Sequence, residues 1–246
     1  VAVSLSALQT RALVLDVEGT TTPIAFVYQV LFPYARAHAA AYLQREGESA
    51  ACRAAIGQLR EERASDISRG EFSGDLDERS NLSHILAYVT WLMDRDRKSP
   101  GLKALQGLIW QGGFGSGQLR GQVYPDVPPA FSRWRASGRA IYIYSSGSVL
   151  AQRLLFGSTA AGDLTPFLEG HFDTAVGPKT SPASYRLIAE RIGVAPEQAL
   201  FVSDVTAELD AARAAGLRTA LCVRGEEEPS GTDRHPVIRT FDEIGD

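Results

Sequence analysis

The chain has 246 residues, 44% of them hydrophobic and 22% charged, with a formal net charge of −4. That length allows one large domain or two small ones, with chain enough for a sizeable core. No basic footprint argues for nucleic acid, no apolar run reaches the length of a membrane span, and the first residues lack a signal-peptide pattern, so a cytoplasmic protein without nucleic-acid or membrane partners is expected.

In chain order, the apolar run at 12–15 predicts a first strand that ends in two acids, Asp16 and Glu18, followed by Gly19, three threonines and Pro23. The next strand-like run, "RAIYIY", comes only at 139–144. A parallel crossover needs about a dozen residues, so a folded insertion is expected between the two. Its pattern is helical: 26–44 with a kink or break at Pro33, then 51–65, 82–98 and 102–113. Tyr28, Phe32, Tyr34 and Trp91 are expected to pack its helices together. Beyond 144 follow a less regular run at 171–176, a helix at 181–193 and a strand at 199–202. A helix at 207–216 ending on Gly216, a strand at 219–223 and a shorter run at 237–241 complete the series. Segment 224–236 reads as a solvated loop.

Alternating strands and helices imply an α/β fold, a doubly wound parallel sheet of Rossmann-like type covered on both faces. The sheet domain is expected at 1–22 and 121–246, and the helical insertion at 23–120. Glycine and proline near 19–23 and 112–126 mark the junctions. The cysteines, Cys52 and Cys222, have no metal-type spacing and are expected as reduced, buried thiols. His38, His84, His171 and His235 are scattered and read as structural or surface residues.

In an open parallel sheet the carboxyl ends of the strands form the ligand crevice. There the first strand delivers Asp16 and Glu18, the second Ser145 and Ser146, and the strand at 199–202 Ser203 and Asp204, with Glu208 four residues on. Lys179 precedes the helix at 181–193. Two acids ending a buried strand repel each other unless a cation lies between them. Asp16, Glu18 and Asp204 are therefore candidate ligands for Mg²⁺, a hard ion that prefers oxygen. Lys179 adds positive charge, and the hydroxyls and amides at Ser145 and Ser146 suit phosphate oxygens. Ser203 and Glu208 stand behind the acids. The set fits phosphoryl transfer, one carboxylate attacking phosphorus while the other handles protons.

These ordered motifs resemble the haloacid dehalogenase-like superfamily of aspartyl-phosphate phosphatases. Its first motif is usually Asp-x-Asp-x-Thr; here it is "DVEGT", with Glu18 in the second acidic place. That change, with "PIAFVYQVLFPYAR", "IYIYSSGSVLAQRLLFG", "LEGHFDTAVGPKTSPASYRLIA" and "FVSDVTAELDAA", closely resembles the enolase-phosphatases of methionine salvage. The stretch "QGGFGSGQLRG" (111–121) departs from that pattern, loosened by Gly113 and Gly115. The resemblance implies a helical cap, Mg²⁺ as cofactor, and a small phosphomonoester as substrate, 2,3-diketo-5-methylthiopentyl-1-phosphate. It implies Asp16 as nucleophile and Glu18 as the acid and base. A monomer is expected.

Two other readings compete. One is a superfamily phosphatase acting on another small phosphomonoester. The other is a receiver-type signalling module, which also gathers acids, Mg²⁺, a hydroxyl and a lysine, but places its acceptor on a middle strand and carries no long insertion after the first. A P-loop is excluded, since no G-x-x-x-x-G-K-[ST] occurs.

Overall fold

A computed structural model describes residues 3–73, 82–225 and 234–246, which leaves most of the expected loop at 224–236 outside the described residues. The chain forms two compact units, Val1–Val27 with Arg120–Asp246, and Tyr28–Leu119. In the first unit, β1 (Val3–Ser4) pairs with a strand at the other end of the chain. The centre of the main sheet is β2 (Ala12–Leu15), whose four side chains are all buried. It runs parallel to β3 (Ala140–Tyr144) on one side and β5 (Ala199–Ser203) on the other, with Leu15 opposite both Ile143 and Val202. Outside these lie β4 (Gly170–Phe172), β6 (Arg218–Cys222) and β7 (Val237–Ile238), in the order β4-β3-β2-β5-β6-β7, while β8 (Ile244–Gly245) is the partner of β1. The chain builds outward from β2 to one edge and then to the other. The carboxyl end of β2 is therefore the topological switch point, where such sheets open a crevice.

The long excursion after β2 begins with α1 (Ile24–Phe26), one π-helical turn (Val27–Leu31) and α2 (Phe32–Glu46). Pro33 falls in the first turn of α2, where no N–H is needed, so the break expected at the proline is instead a widened turn just before it. The extra residue in that turn shifts the apolar register. Tyr28, expected inside, is 53% exposed; it meets Phe32 edge-on and its hydroxyl donates to Asp96 Oδ2 at 3.5 Å. The second unit then adds α3 (Ala50–Ser68), α4 (Leu82–Asp94) and α5 (Pro100–Gly115). Ser49 and Ser99 cap α3 and α5 by accepting from Cys52 N and Leu102 N. Tyr88 and Trp91 stack at 5.6 Å, and Phe72 meets both edge-on. Gly113 does not loosen α5. A Cβ there would lie 2.7 Å from Tyr34 Cζ and 2.8 Å from Leu119 Cδ1, so glycine is what lets the Tyr34 ring pack.

Four further helices join the sheet strands: α6 (Val127–Ala136), α7 (Val149–Gly157), α8 (Pro182–Ile192) and α9 (Thr206–Ala214). One face of the sheet buries Tyr144, Phe201, Tyr185, Ile188 and Leu209, and another apolar group gathers Phe131, Trp134 and Phe156. Each such side chain contributes roughly 1.5–3 kcal/mol on burial. The fold is a doubly wound parallel α/β sheet. Cys52 and Cys222 are free and buried. No helix among the described residues is long and apolar enough to cross a membrane.

Candidate active site

β2 hydrogen-bonds on both sides, and the ladder continues one step past it, Asp16 N donating to Val202 O at 3.0 Å. Asp16 is thereby fixed at the sheet's carboxyl edge, 2% exposed. Its Oδ1 accepts from Lys179 Nζ at 2.6 Å and from Val17 N at 2.8 Å, and its Oδ2 from Ser203 Oγ at 2.9 Å. Lys179 also lies 2.6 Å from Glu208 Oε2. Burial alone would lower the lysine's pKa, but the two carboxylates outweigh it and hold the ammonium above its ordinary range. Four residues from three chain segments thus form one hydrogen-bonded cluster: Asp16, Lys179, Ser203 and Glu208.

Glu18 stands apart from that cluster. Its carboxylate accepts from Ser145 Oγ at 3.1 Å, on the β3 side. Burial, and then the charge on Asp16, raise its pKa. Ser145 is itself 1% exposed and accepts from Gly147 N at 2.9 Å. Ser146 is exposed and bonds to none of these groups.

Asp204 lies on the other flank, against the turn that follows Glu18. In that turn Val17 O accepts from the amides of Thr20, Thr21 and Thr22, and Gly19 adopts φ +73°. A Cβ on Gly19 would sit 2.1 Å from Asp204 Oδ2. Glycine is required there both for its backbone angle and for the space. Asp204 Oδ1 is buried and has no hydrogen-bond partner among the described residues. Its pKa is pushed up to about 6, by burial and then by Asp16. Glu208 is pushed up to about 7 for the same reasons.

Four carboxylates thus crowd one lysine, and the charge on Asp16 raises Glu18, Asp204 and Glu208. Burial leads each shift and neighbouring negative charge comes second, so the site has room for a further positive charge. Among the described residues, no three His, Cys, Asp or Glu side chains form a metal site by themselves. The three-carboxylate ligand set expected from Asp16, Glu18 and Asp204 is not gathered, because Glu18 is turned onto Ser145.

Several residues that position the site carry no motif. Tyr185 OH donates to Lys179 O at 2.7 Å, Tyr144 OH to Gly177 O at 3.0 Å, and Thr21 Oγ1 to Asp16 O at 3.0 Å. Only the run of threonines hints at any of this. The histidines lie elsewhere: His38 binds Tyr34 O, His171 binds Gln152, His235 joins Thr219 and Asp210, and His84 is exposed on α4.

The haloacid dehalogenase-like hydrolase family model matches residues 10–216. "Enolase-phosphatase E1" of Synechococcus elongatus is 49% identical over 234 residues, spanning 94% of this chain and 96% of its own. The protein of that name from Enterobacter sp. (strain 638) is 45% identical over 95% of this chain and 96% of its own. Among solved structures, the UTR4 protein of Saccharomyces cerevisiae is 31% identical, with a TM-score of 0.71, covering 95% of this chain and 99% of that one. CbbY of Rhodobacter sphaeroides, solved in complex with xylulose-(1,5)bisphosphate, is 18% identical with a TM-score of 0.58 over 96% of this chain and 97% of its own, a likeness of fold alone. With its switch-point acids, its lysine and these likenesses over nearly its full length, the chain belongs to the haloacid dehalogenase-like hydrolases, as a phosphatase closely resembling the enolase-phosphatases.

Proposed function

We propose that the protein is a Mg²⁺-dependent enolase-phosphatase of methionine salvage. It would convert 2,3-diketo-5-methylthiopentyl-1-phosphate into the acireductone 1,2-dihydroxy-3-keto-5-methylthiopentene and phosphate. What supports this most is the buried Lys179–Asp16 pair at the switch point, in a chain 45–49% identical to proteins named for that activity. A buried carboxylate held by an ammonium and a hydroxyl is oriented for in-line attack.

In this reading an Asp16 oxygen attacks phosphorus and the bond from phosphorus to the ester oxygen breaks. The departing oxygen takes a proton from Glu18, whose pKa burial and the charge on Asp16 raise. Glu18 then takes a proton from water, and the water oxygen attacks the aspartyl-phosphate, releasing phosphate and restoring Asp16. Lys179 and the Ser145 and Ser146 groups would hold the phosphoryl oxygens. Ser203 and Glu208 would keep Asp16 and Lys179 in register through the bonds described above.

The donor chemistry fits Mg²⁺ through two carboxylates. Asp16 Oδ2 accepts a single hydrogen bond and Asp204 Oδ1 accepts none, so both retain lone pairs. Asp16 and Asp204 would hold the ion, with waters and phosphate oxygens completing its shell. When bound, it would supply charge that offsets repulsion between the carboxylate and the phosphate.

The test is turnover of the diketo phosphate beside a panel of sugar and nucleotide monophosphates, following phosphate release and the enediol absorbance together. Both signals, strongest with the diketo phosphate, silenced by EDTA and restored by Mg²⁺, are expected. Phosphate release from another monoester with no enediol signal would replace this reading with that of a superfamily phosphatase of different substrate.

A further inference from the structure

The turn between Glu18 and Pro23 exposes two main-chain oxygens away from the acids, and both are taken by residues far along the chain. Thr21 O accepts from Tyr124 N at 3.0 Å, and Thr20 O accepts from Arg224 Nε at 2.9 Å. Arg224 follows the carboxyl end of β6 and reaches this turn through an aromatic sleeve. Its guanidinium carbon lies 4.3 Å from the centre of the Tyr124 ring and 4.7 Å from that of Phe241. Nη1 lies 2.7 Å from Asp126 Oδ2, which also accepts from Phe241 N at 2.5 Å. The Arg224 side chain is 8% exposed and that of Asp126 10%.

From this arrangement we infer that Arg224 is a positioning residue for the reaction, clamping the Gly19–Thr22 turn so that Glu18 and the Asp204 contact keep their places. The inference rests on the reading that the end of β2 carries the chemistry. A surface arginine could not do this. The planar fork is needed to bind Asp126 and Thr20 O at once while stacked between two rings. Lysine keeps the charge and the Asp126 pair but has one head group and no plane.

The test is Arg224→Lys, with Asp126→Asn read in the same way should the first variant fail to fold. Amide hydrogen exchange in a peptide covering 17–23 is expected to speed up about tenfold relative to one covering 140–144, because the turn loses its outer acceptor bond. In the same variant kcat is expected to fall at least about tenfold, while inhibition by inorganic phosphate changes less than about threefold, the signature of misplaced chemistry rather than lost binding. Unchanged exchange at 17–23, exchange that rises equally across the sheet, or an unchanged kcat overturns the inference. Should the parent turn over no phosphomonoester, the proposed function fails and the exchange comparison alone decides this clamp.

Discussion

The Nζ atom of Lys179 and the Oδ1 atom of Asp16 lie 2.6 Å apart, with the two side chains 6% and 3% exposed. A buried pair of this kind is costly to desolvate and is weak evidence for stability. Its placement at the switch point of the sheet gives it a different use. The ammonium holds the Asp16 carboxylate in place, and Glu208 lies 2.6 Å from the same ammonium, so the lysine is shared between the two acids.

Asp16→Asn tests the covalent route. The amide fills the same space: its oxygen can still accept from Lys179 and Val17, and its NH2 can donate to Ser203 Oγ, which keeps its own donation to Glu208. The melting temperature is therefore expected to stay within a few degrees. Phosphate release is expected to fall by at least about 10⁴-fold, the scale of losing a nucleophile. A variant that folds normally and still turns over would exclude Asp16 as the attacking group.

Glu18→Gln separates proton transfer from binding. The Ser145 contact survives with the amide oxygen as acceptor, so KM is expected to change less than about threefold. The acid is gone, and kcat is expected to fall about 10²–10⁴-fold. Steady-state kinetics showing a raised KM with kcat intact would make Glu18 a binding residue instead.

Much of this arrangement is legible in the amino-acid sequence. The strand runs at 12–15, 139–144, 199–202 and 219–223 match β2, β3, β5 and β6 to within a residue or so at each end, because buried central strands are continuous apolar runs that stop at polar groups. The shorter elements are not legible in this way. β1 and β8 have two residues each, too few to show a period, and β4 is only half-buried. Helix α6 begins "VPP", and its prolines conceal a helix whose first turn tolerates them. Asp16, Glu18, Ser145, Lys179, Ser203 and Asp204 can be nominated because each ends or follows a strand or precedes a helix, and Glu208 because it stands four residues past Asp204 in the first turn of the next helix. Which of them bond to one another cannot, and Arg224 carries no signal, since its role depends on three distant segments meeting.

The raised acids make a statement about pH and stability. Glu208 moves from an ordinary 4.5 to about 7, so the folded chain holds this proton more tightly than the unfolded one. Its contribution is fully present below about pH 4.5 and is lost as the pH rises through 7. Asp204, raised from 3.8 to about 6, has the same sign. His171 opposes them, since burial lowers it from 6.5 to about 4 and its contribution grows as the pH rises across that window. Comparison with Glu208→Gln removes the histidine from the result. In EDTA, the melting temperature of the parent minus that of the variant is expected to fall by several degrees between pH 5 and pH 8. A difference that stays flat or rises would mean that burial and the Asp16 charge do not raise Glu208.

Gly19 gives the most direct reading of how Asp204 is placed. Alanine there would carry a Cβ 2.1 Å from Asp204 Oδ2 on a backbone with φ +73°, so either the turn or the carboxylate must move. The left-handed angle alone costs about 1–2 kcal/mol, which for a chain of this size lowers the melting temperature by about 2–8 °C. If Asp204 helps to hold Mg²⁺, its displacement is expected to raise the Mg²⁺ concentration for half-maximal activity at least about tenfold. Gly115→Ala is the control, because a Cβ at that position meets nothing within 4 Å, and it should leave both quantities unchanged. A Gly19→Ala enzyme that melts lower but keeps the parent's Mg²⁺ dependence would mean that the turn moves and the carboxylate stays. The same unchanged dependence in Asp204→Asn would show that Asp204 is not a ligand, leaving its unpartnered oxygen to another occupant.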